Sequence, residues 1–105
     1  MQKAHYIDSM DKSQNLLEKL YLLVQEIDKA KGIVDEEKVQ YLSNYENRIE
    51  ILIKRIQDGT LPPSNGGIIG TMRGISEYDS LAAIKELYDA AADVDLFYSK
   101  ECQSW

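Results

Sequence analysis

Apolar side chains recur every three to four residues in three separate stretches of this chain, which is the spacing of one face of an α-helix. The first stretch predicts a helix over about residues 9–31. Asp8 or Ser9 is placed to accept from the free amides of its first turn, and Gly32 suits the left-handed position that ends a helix. The predicted face consists of Leu16, Leu20, Leu23, Val24 and Ile27.

The second stretch predicts a helix over about residues 36–57. Asp35 is the expected N-cap, and Gly59 lies just beyond the C-terminus. Ile51 and Ile53 fall outside the main face, so this helix either packs between two neighbours or exposes a second apolar surface. The main face consists of Leu42, Tyr45, Ile49, Leu52 and Ile56.

The third stretch predicts a helix over about residues 77–100, because Ser76 and Asp79 have the spacing of a capping box and an apolar stripe follows them. The three helices have similar lengths and the first connection is short, which favours antiparallel packing side by side. The fold class is therefore predicted as all-α: an antiparallel bundle of three long helices that forms a single helical domain over residues 1–105. The stripe consists of Leu81, Ile84, Tyr88, Ala91, Val94 and Tyr98.

Residues 59–75 form a long loop before the last predicted helix, and they hold both prolines and five of the six glycines. The pair Pro62-Pro63 forces an extended entry, and Asn65-Gly66 is a turn signal. Loops of this length are uncommon in compact domains and are usually functional or mobile. The loop is therefore the first place to look for a site.

The charge and the cysteine count exclude several classes of protein. The 105 residues carry a net charge of −6 with a sequence pI of about 4.7, which argues against binding to nucleic acid or to an anionic membrane surface. Cys102 is the only cysteine, so no intrachain disulfide forms and a reducing cytoplasm is the expected location. His5 is the only histidine. No nucleophile–base pair, metal cluster or cofactor motif can be assembled, so we expect a protein that is not an enzyme.

The loop has the features of an anion site. Its glycine-rich backbone leads into the N-terminus of the third predicted helix, where free amides bind phosphate. Arg73 adds a planar, permanently charged fork, and Ser76 adds a hydroxyl. The pattern is not a Walker loop, since no Lys-Ser or Lys-Thr pair follows it. The non-functional alternative is a linker whose Arg73 pairs with a carboxylate.

Apolar side chains in the loop leave a second choice open. Ile68, Ile69 and Met72 either fold back onto the helices, which makes the loop structural, or stay exposed and mark an interface. Tyr78 lies close to Arg73 in the sequence. It either packs at the rim of the core or serves a ligand or partner as an aromatic surface.

Two functional hypotheses follow. The first is a small acidic, non-enzymatic binding module that sequesters or inhibits a protein partner, by analogy of size, acidity and helicity with small immunity, antitoxin or counter-defence proteins. Asp89 and Asp93 on the third predicted helix would steer such a partner by charge, unless that face is merely solvated. The alternative is a phosphate- or nucleotide-binding sensor or sponge, built on the loop amides and Arg73.

Both hypotheses use the same residues. We also predict a homo-oligomer, because residues 20–24 are apolar nearly all around the first helix. No catalytic, cofactor or metal site is predicted. The predicted ligand- or partner-binding residues are Gly66, Gly67, Ile68, Ile69, Gly70, Met72, Arg73, Ser76 and Tyr78.

Overall fold

The computed structural model describes the backbone of residues 2–104 and the side chains of residues 12–104. The prediction of an all-α class is confirmed, and there is no strand within that range. No helix in the described range is both long enough and apolar enough to cross a membrane. The five helices are α1 (Gln2–Lys31), α2 (Glu36–Asp58), α3 (Thr71–Ser76), α4 (Asp79–Ala82) and α5 (Lys85–Glu101).

The bounds of α2 follow the predicted caps. The side chain of Asp35 accepts a hydrogen bond of 3.0 Å from the amide of Lys38, which satisfies a free N–H of the first turn. Gly59 ends the helix in the left-handed region with φ of 74°, and its amide donates to the carbonyl of Ile56. These local signals need no tertiary contact to act.

The helix α1 ends at Lys31 as predicted, but its start and the conformation of the glycine that follows it differ from the prediction. The helix already includes Gln2, so the predicted start near residue 9 is wrong, and the side chains of Asp8 and Ser9 lie outside the described residues. Gly32 is not in the left-handed region, so that part of the prediction is also wrong. The amide of Gly32 instead donates to the carbonyl of Lys29 at 3.1 Å, a tightening of the last turn that satisfies a terminal carbonyl.

The core forms where α1 lies against both α2 and α5. Four of the five apolar positions that the sequence assigned to the inner face of α1 are fully buried, and each contributes about 1.5–3 kcal/mol relative to an exposed side chain. Val24 is only partly buried at the edge of this core. The fully buried side chains include Leu16, Leu20, Leu23, Ile27, Leu42, Leu87 and Val94.

The third predicted helix is wrong in its first half. Tyr78 and Ile84 have extended backbones, and these breaks separate α3, α4 and α5. Ile75, Leu81 and Leu87 are spaced six residues apart and are all fully buried. Six residues of one continuous helix turn about 600°, so successive members would point about 120° away from the previous one. The breaks let all three reach the core, and the predicted bundle of three long helices is therefore not confirmed.

The predicted capping box does not form. Ser76 belongs to the last turn of α3, and its hydroxyl donates backwards to the carbonyl of Met72 at 3.0 Å. The long loop is also shorter than predicted, since α3 begins at Thr71. Residues 59–70 remain as the connection between α2 and α3.

Candidate functional site

The start of α3 is held by a carboxylate of α5. The Oδ1 atom of Asp95 accepts from the amides of Gly70 at 3.2 Å and Thr71 at 3.1 Å, and Oδ2 accepts from the amide of Met72 at 3.1 Å. The hydroxyl of Thr71 lies 2.6 Å from Oδ1. Asp95 is only 3% exposed. The free amides that a helix N-terminus offers to an anion are thus bound by a side chain of the chain itself.

The other side of α3 is held by tyrosines of α2. The hydroxyl of Tyr45 donates to the carbonyl of Thr71 at 2.7 Å, and the hydroxyl of Tyr41 donates to the carbonyl of Gly74. A Cβ atom at Gly74 would lie 2.6 Å from the ring of Tyr45, so only glycine permits this approach. Burial, and then the nearby charge of Asp95, raises the pKa of Tyr45, so its hydroxyl stays a donor at neutral pH.

The first half of the loop is tied to the end of α5. The amide of Ser64 donates to the carbonyl of Cys102 at 2.9 Å, and the hydroxyl of Tyr98 donates to the carbonyl of Pro62 at 2.6 Å. The hydroxyl of Ser99 donates to the carbonyl of Gly66 at 2.9 Å. The loop is therefore anchored at both ends, with a short exposed segment around Ile68 between the anchors.

A cavity of about 240 Å³ lies between α2 and the anchored loop. Its walls are mostly apolar. Ile51 on its α2 wall is 59% exposed, and Ile68, next to the cavity-lining Ile69, is 61% exposed. Exposed apolar side chains that gather around a concavity are typical of interaction sites. The lining includes Tyr45, Arg48, Ile51, Leu52, Ile69 and Gly70.

The predicted site residues divide into three groups. Ile69 and Gly70 line the cavity, and Gly66, Gly67 and Ile68 are exposed on the loop before them. Met72 and Tyr78 pack partly against the core. Arg73 and Ser76 are exposed on α3, outside the lining.

The apolar side chains of the loop were expected either to fold back onto the helices or to stay exposed, and both outcomes occur, in different residues. Ile69 and Met72 pack partly against the core, whereas Ile68 stays exposed. Tyr78 contacts Tyr41 edge to face, with ring centroids 4.9 Å apart, and Lys38 lies 5.2 Å from the centroid of its ring. Tyr78 thus fastens the α3–α4 segment to α2.

The side chain of Arg73 makes no hydrogen bond or ion pair with any group in residues 12–104. The expected carboxylate partner is therefore not found within that range. Arg48, which the sequence reading did not select, lines the cavity and also lacks such a partner there. The sequence already indicates that Arg48 has no ion-pair partner on its own helix, because none of its neighbours one turn away is acidic. These neighbours are Asn44, Tyr45, Ile51 and Leu52.

The acidic residues of α5 do not join this site. Asp93 lies two residues before Asp95, about 200° around the helix, and so faces away from the loop. It pairs with Lys19 at 2.8 Å, and Asp89 pairs with Lys85 at 2.6 Å. Both acids line a separate groove between α1 and α5.

The remaining groups that bear on chemistry in the described part of the chain are metal-ligating side chains and the thiol of Cys102. No group of three or more side chains that could hold a metal ion occurs there. Cys102 is buried, and burial raises the pKa of its thiol to about 11, which disfavours the reactive thiolate. His5 lies outside the residues whose side chains are described.

Comparisons with protein-family models, curated proteins and solved structures found no match to this chain.

Proposed function

We propose that this chain is a small non-enzymatic binding module that sequesters or inhibits a protein partner, as small immunity, antitoxin or counter-defence proteins do. The observation that carries the proposal is the apolar cavity between α2 and the loop, with Ile51 exposed on its wall and Ile68 exposed on the loop, next in sequence to the cavity-lining Ile69. The anchored loop gives this surface a fixed shape before any partner arrives. Preorganisation of this kind lowers the entropy lost on binding.

The size of the cavity favours a side chain of a partner over a free small molecule. Pockets for small ligands and cofactors have volumes of about 300–1,000 Å³. The cavity here has about 240 Å³, which is room for one large apolar side chain. An interface in which one anchor fills a pocket and exposed apolar residues pack around it has the usual arrangement of a binding hot spot.

The phosphate or nucleotide alternative stays a prediction, and no observation favours it over the first. The amides of residues 70–72 that it would use are bound by Asp95. A phosphate at this position would have to displace a buried carboxylate of the same charge. Calorimetric titration with ATP and with inorganic phosphate tests it: a saturable heat that Arg73→Ala abolishes would establish it in place of our proposal.

Affinity capture with matched variants tests the proposal. We expect the tagged wild-type chain to retain a cellular protein that Ile51→Glu and Ile68→Glu each lose. Ile33→Glu is the control, because Ile33 is 73% exposed and does not line the cavity. Circular dichroism checks that all three variants keep their helices. Equal retention by all four chains, or none by any, refutes the cavity as the binding site.

The homo-oligomer and the cytoplasmic location remain separate proposals. An oligomer would use a different surface, where Tyr21 and Leu22 of α1 are exposed by 43% and 48%. Light scattering over micromolar concentrations tests this. We expect Leu22→Glu to lower the average mass and Ile51→Glu to leave it unchanged. A monomer mass for the wild type throughout removes the oligomer.

A further inference from the structure

We infer that the segment of the partner that fills the cavity carries a carboxylate beside its apolar anchor, and that Arg48 binds this carboxylate. This inference rests on the proposed function and specifies the chemistry of the partner. It concerns a residue outside the loop, on the opposite wall of the cavity.

Arg48 has a free hydrogen-bonding edge. Its guanidinium carbon lies 5.7 Å from the centroid of the Tyr45 ring, so the π face of the ring attracts the positive charge. This contact does not use the N–H groups in the guanidinium plane as hydrogen-bond donors. No carboxylate in residues 12–104 pairs with it. A guanidinium that keeps its planar fork free binds a carboxylate through two parallel hydrogen bonds.

Arg48 is unpaired because no acidic residue lies one turn away from it on α2, and not because the chain as a whole lacks acids. The chain has 18 acidic and 12 basic residues, so carboxylates are in excess. Six of the eight lysines in residues 12–104 pair with one, whereas none of the three arginines does. The paired lysines are Lys19, Lys29, Lys31, Lys38, Lys54 and Lys85.

The position of Arg48 sets what its charge can do. It lines the same cavity as Ile51 and Leu52, so a docked segment that inserts an apolar side chain there also covers the guanidinium. Partial removal of water strengthens an ion pair with an acidic neighbour of the anchor. If the neighbour is neutral, the same removal of water leaves the guanidinium without a partner. If the neighbour is basic, the guanidinium repels it. Arg48 thus selects acidic segments.

A display library of random dodecapeptides tests the inference. Binders are selected separately on the wild type, Arg48→Gln, Arg48→Glu and Ile51→Glu, and Lys54→Gln serves as the control for charge. Lys54 is an exposed cation on the same helix that does not line the cavity. Melting curves confirm that each variant is folded.

We expect the wild type to select peptides with Asp or Glu next to a large apolar residue, and Ile51→Glu to lose them. The affinity of these peptides should fall about tenfold or more in Arg48→Gln, since one charge-assisted pair is lost, and stay within about threefold in Lys54→Gln. Arg48→Glu should select Lys or Arg in the place of the acid.

Two failures can be told apart. Peptides that depend on Ile51 but show no preference for acids, or that bind the wild type and Arg48→Gln equally, overturn the role of Arg48 and leave the proposed function standing. An absence of peptides that depend on Ile51 overturns both. Sodium dodecanoate is titrated in parallel. Saturable binding of it that needs Arg48, without any selected peptide, assigns the site to a small amphipathic carboxylate and also overturns the inference.

Discussion

Asp95→Ala is the substitution that tests most directly how the loop is held. It removes the acceptor of three backbone amides and a neighbour of the Thr71 hydroxyl. That hydroxyl keeps a second acceptor, the carbonyl of Ala91 at 2.8 Å. The three amides lose their hydrogen-bond acceptor, because the side chain of alanine has none.

The expected loss of stability can be worked from these contacts. The amide of Thr71 is buried, and leaving such a donor unsatisfied costs about 1–3 kcal/mol. The amides of Gly70 and Met72 are only partly buried and regain water, so each costs about 1 kcal/mol. The free energy of unfolding should therefore fall by about 3–5 kcal/mol, a large share of the 5–15 kcal/mol typical of a domain.

Urea unfolding followed by circular dichroism measures this loss. Asp95→Asn should lose about half as much, because the amide keeps one oxygen acceptor but turns an NH₂ group toward a backbone N–H. Asp93→Ala is the matched control: Asp93 pairs with Lys19 in an exposed ion pair, so it should lose no more than about 1 kcal/mol. If Asp95→Ala is as stable as Asp93→Ala, the carboxylate does not hold α3 and the reasoning is wrong.

Three further predictions concern other residues. Gly74→Ala should lower the free energy of unfolding by about 1–3 kcal/mol, because the added Cβ would overlap the ring of Tyr45, and urea unfolding checks this. Gly59→Ala should cost about 1–2 kcal/mol, seen as a lower melting temperature, because its φ of 74° is left-handed, whereas Gly32→Ala should change it little. Burial raises the pKa of the Cys102 thiol from 9.0 to about 11, so the folded chain keeps a proton that the unfolded chain releases. The contribution of this thiol to stability is thus fully present below pH 9 and declines as the pH rises toward 11. Over that range the free energy of unfolding should fall more steeply with pH for the wild type than for Cys102→Ser, and equal slopes would contradict this.

Parts of the candidate site could be predicted from sequence, and parts could not. The glycine and proline content of residues 59–75 pointed to the loop, and two of its predicted site residues, Ile69 and Gly70, line the cavity. Arg48 was missed because it lies on a helix that the sequence assigns to the core. Only the folded loop creates the cavity against that face of α2. Asp89 and Asp93 were expected to steer a partner by charge, and helical phase turns Asp93 away from the loop.

Features that depend on neighbours in the chain can be read from the local sequence. The apolar spacing specifies α2 and the inner face of α1, and the side chain of Asp35 and the left-handed Gly59 set the ends of α2. The two caps are contacts between residues within a few positions of one another, so they form without any tertiary contact.

The tertiary structure decided what the loop and the segment after it become. Thr71 and Asp95 are 24 positions apart, and Tyr45 and Thr71 are 26 apart, so the contacts that start α3 carry no local signal. Burial of Ile75, Leu81 and Leu87 in one core breaks a helix that the local pattern would continue. The free energy of packing outweighs helix propensity here, because each buried side chain is worth more than the few tenths of a kcal/mol by which local preferences differ.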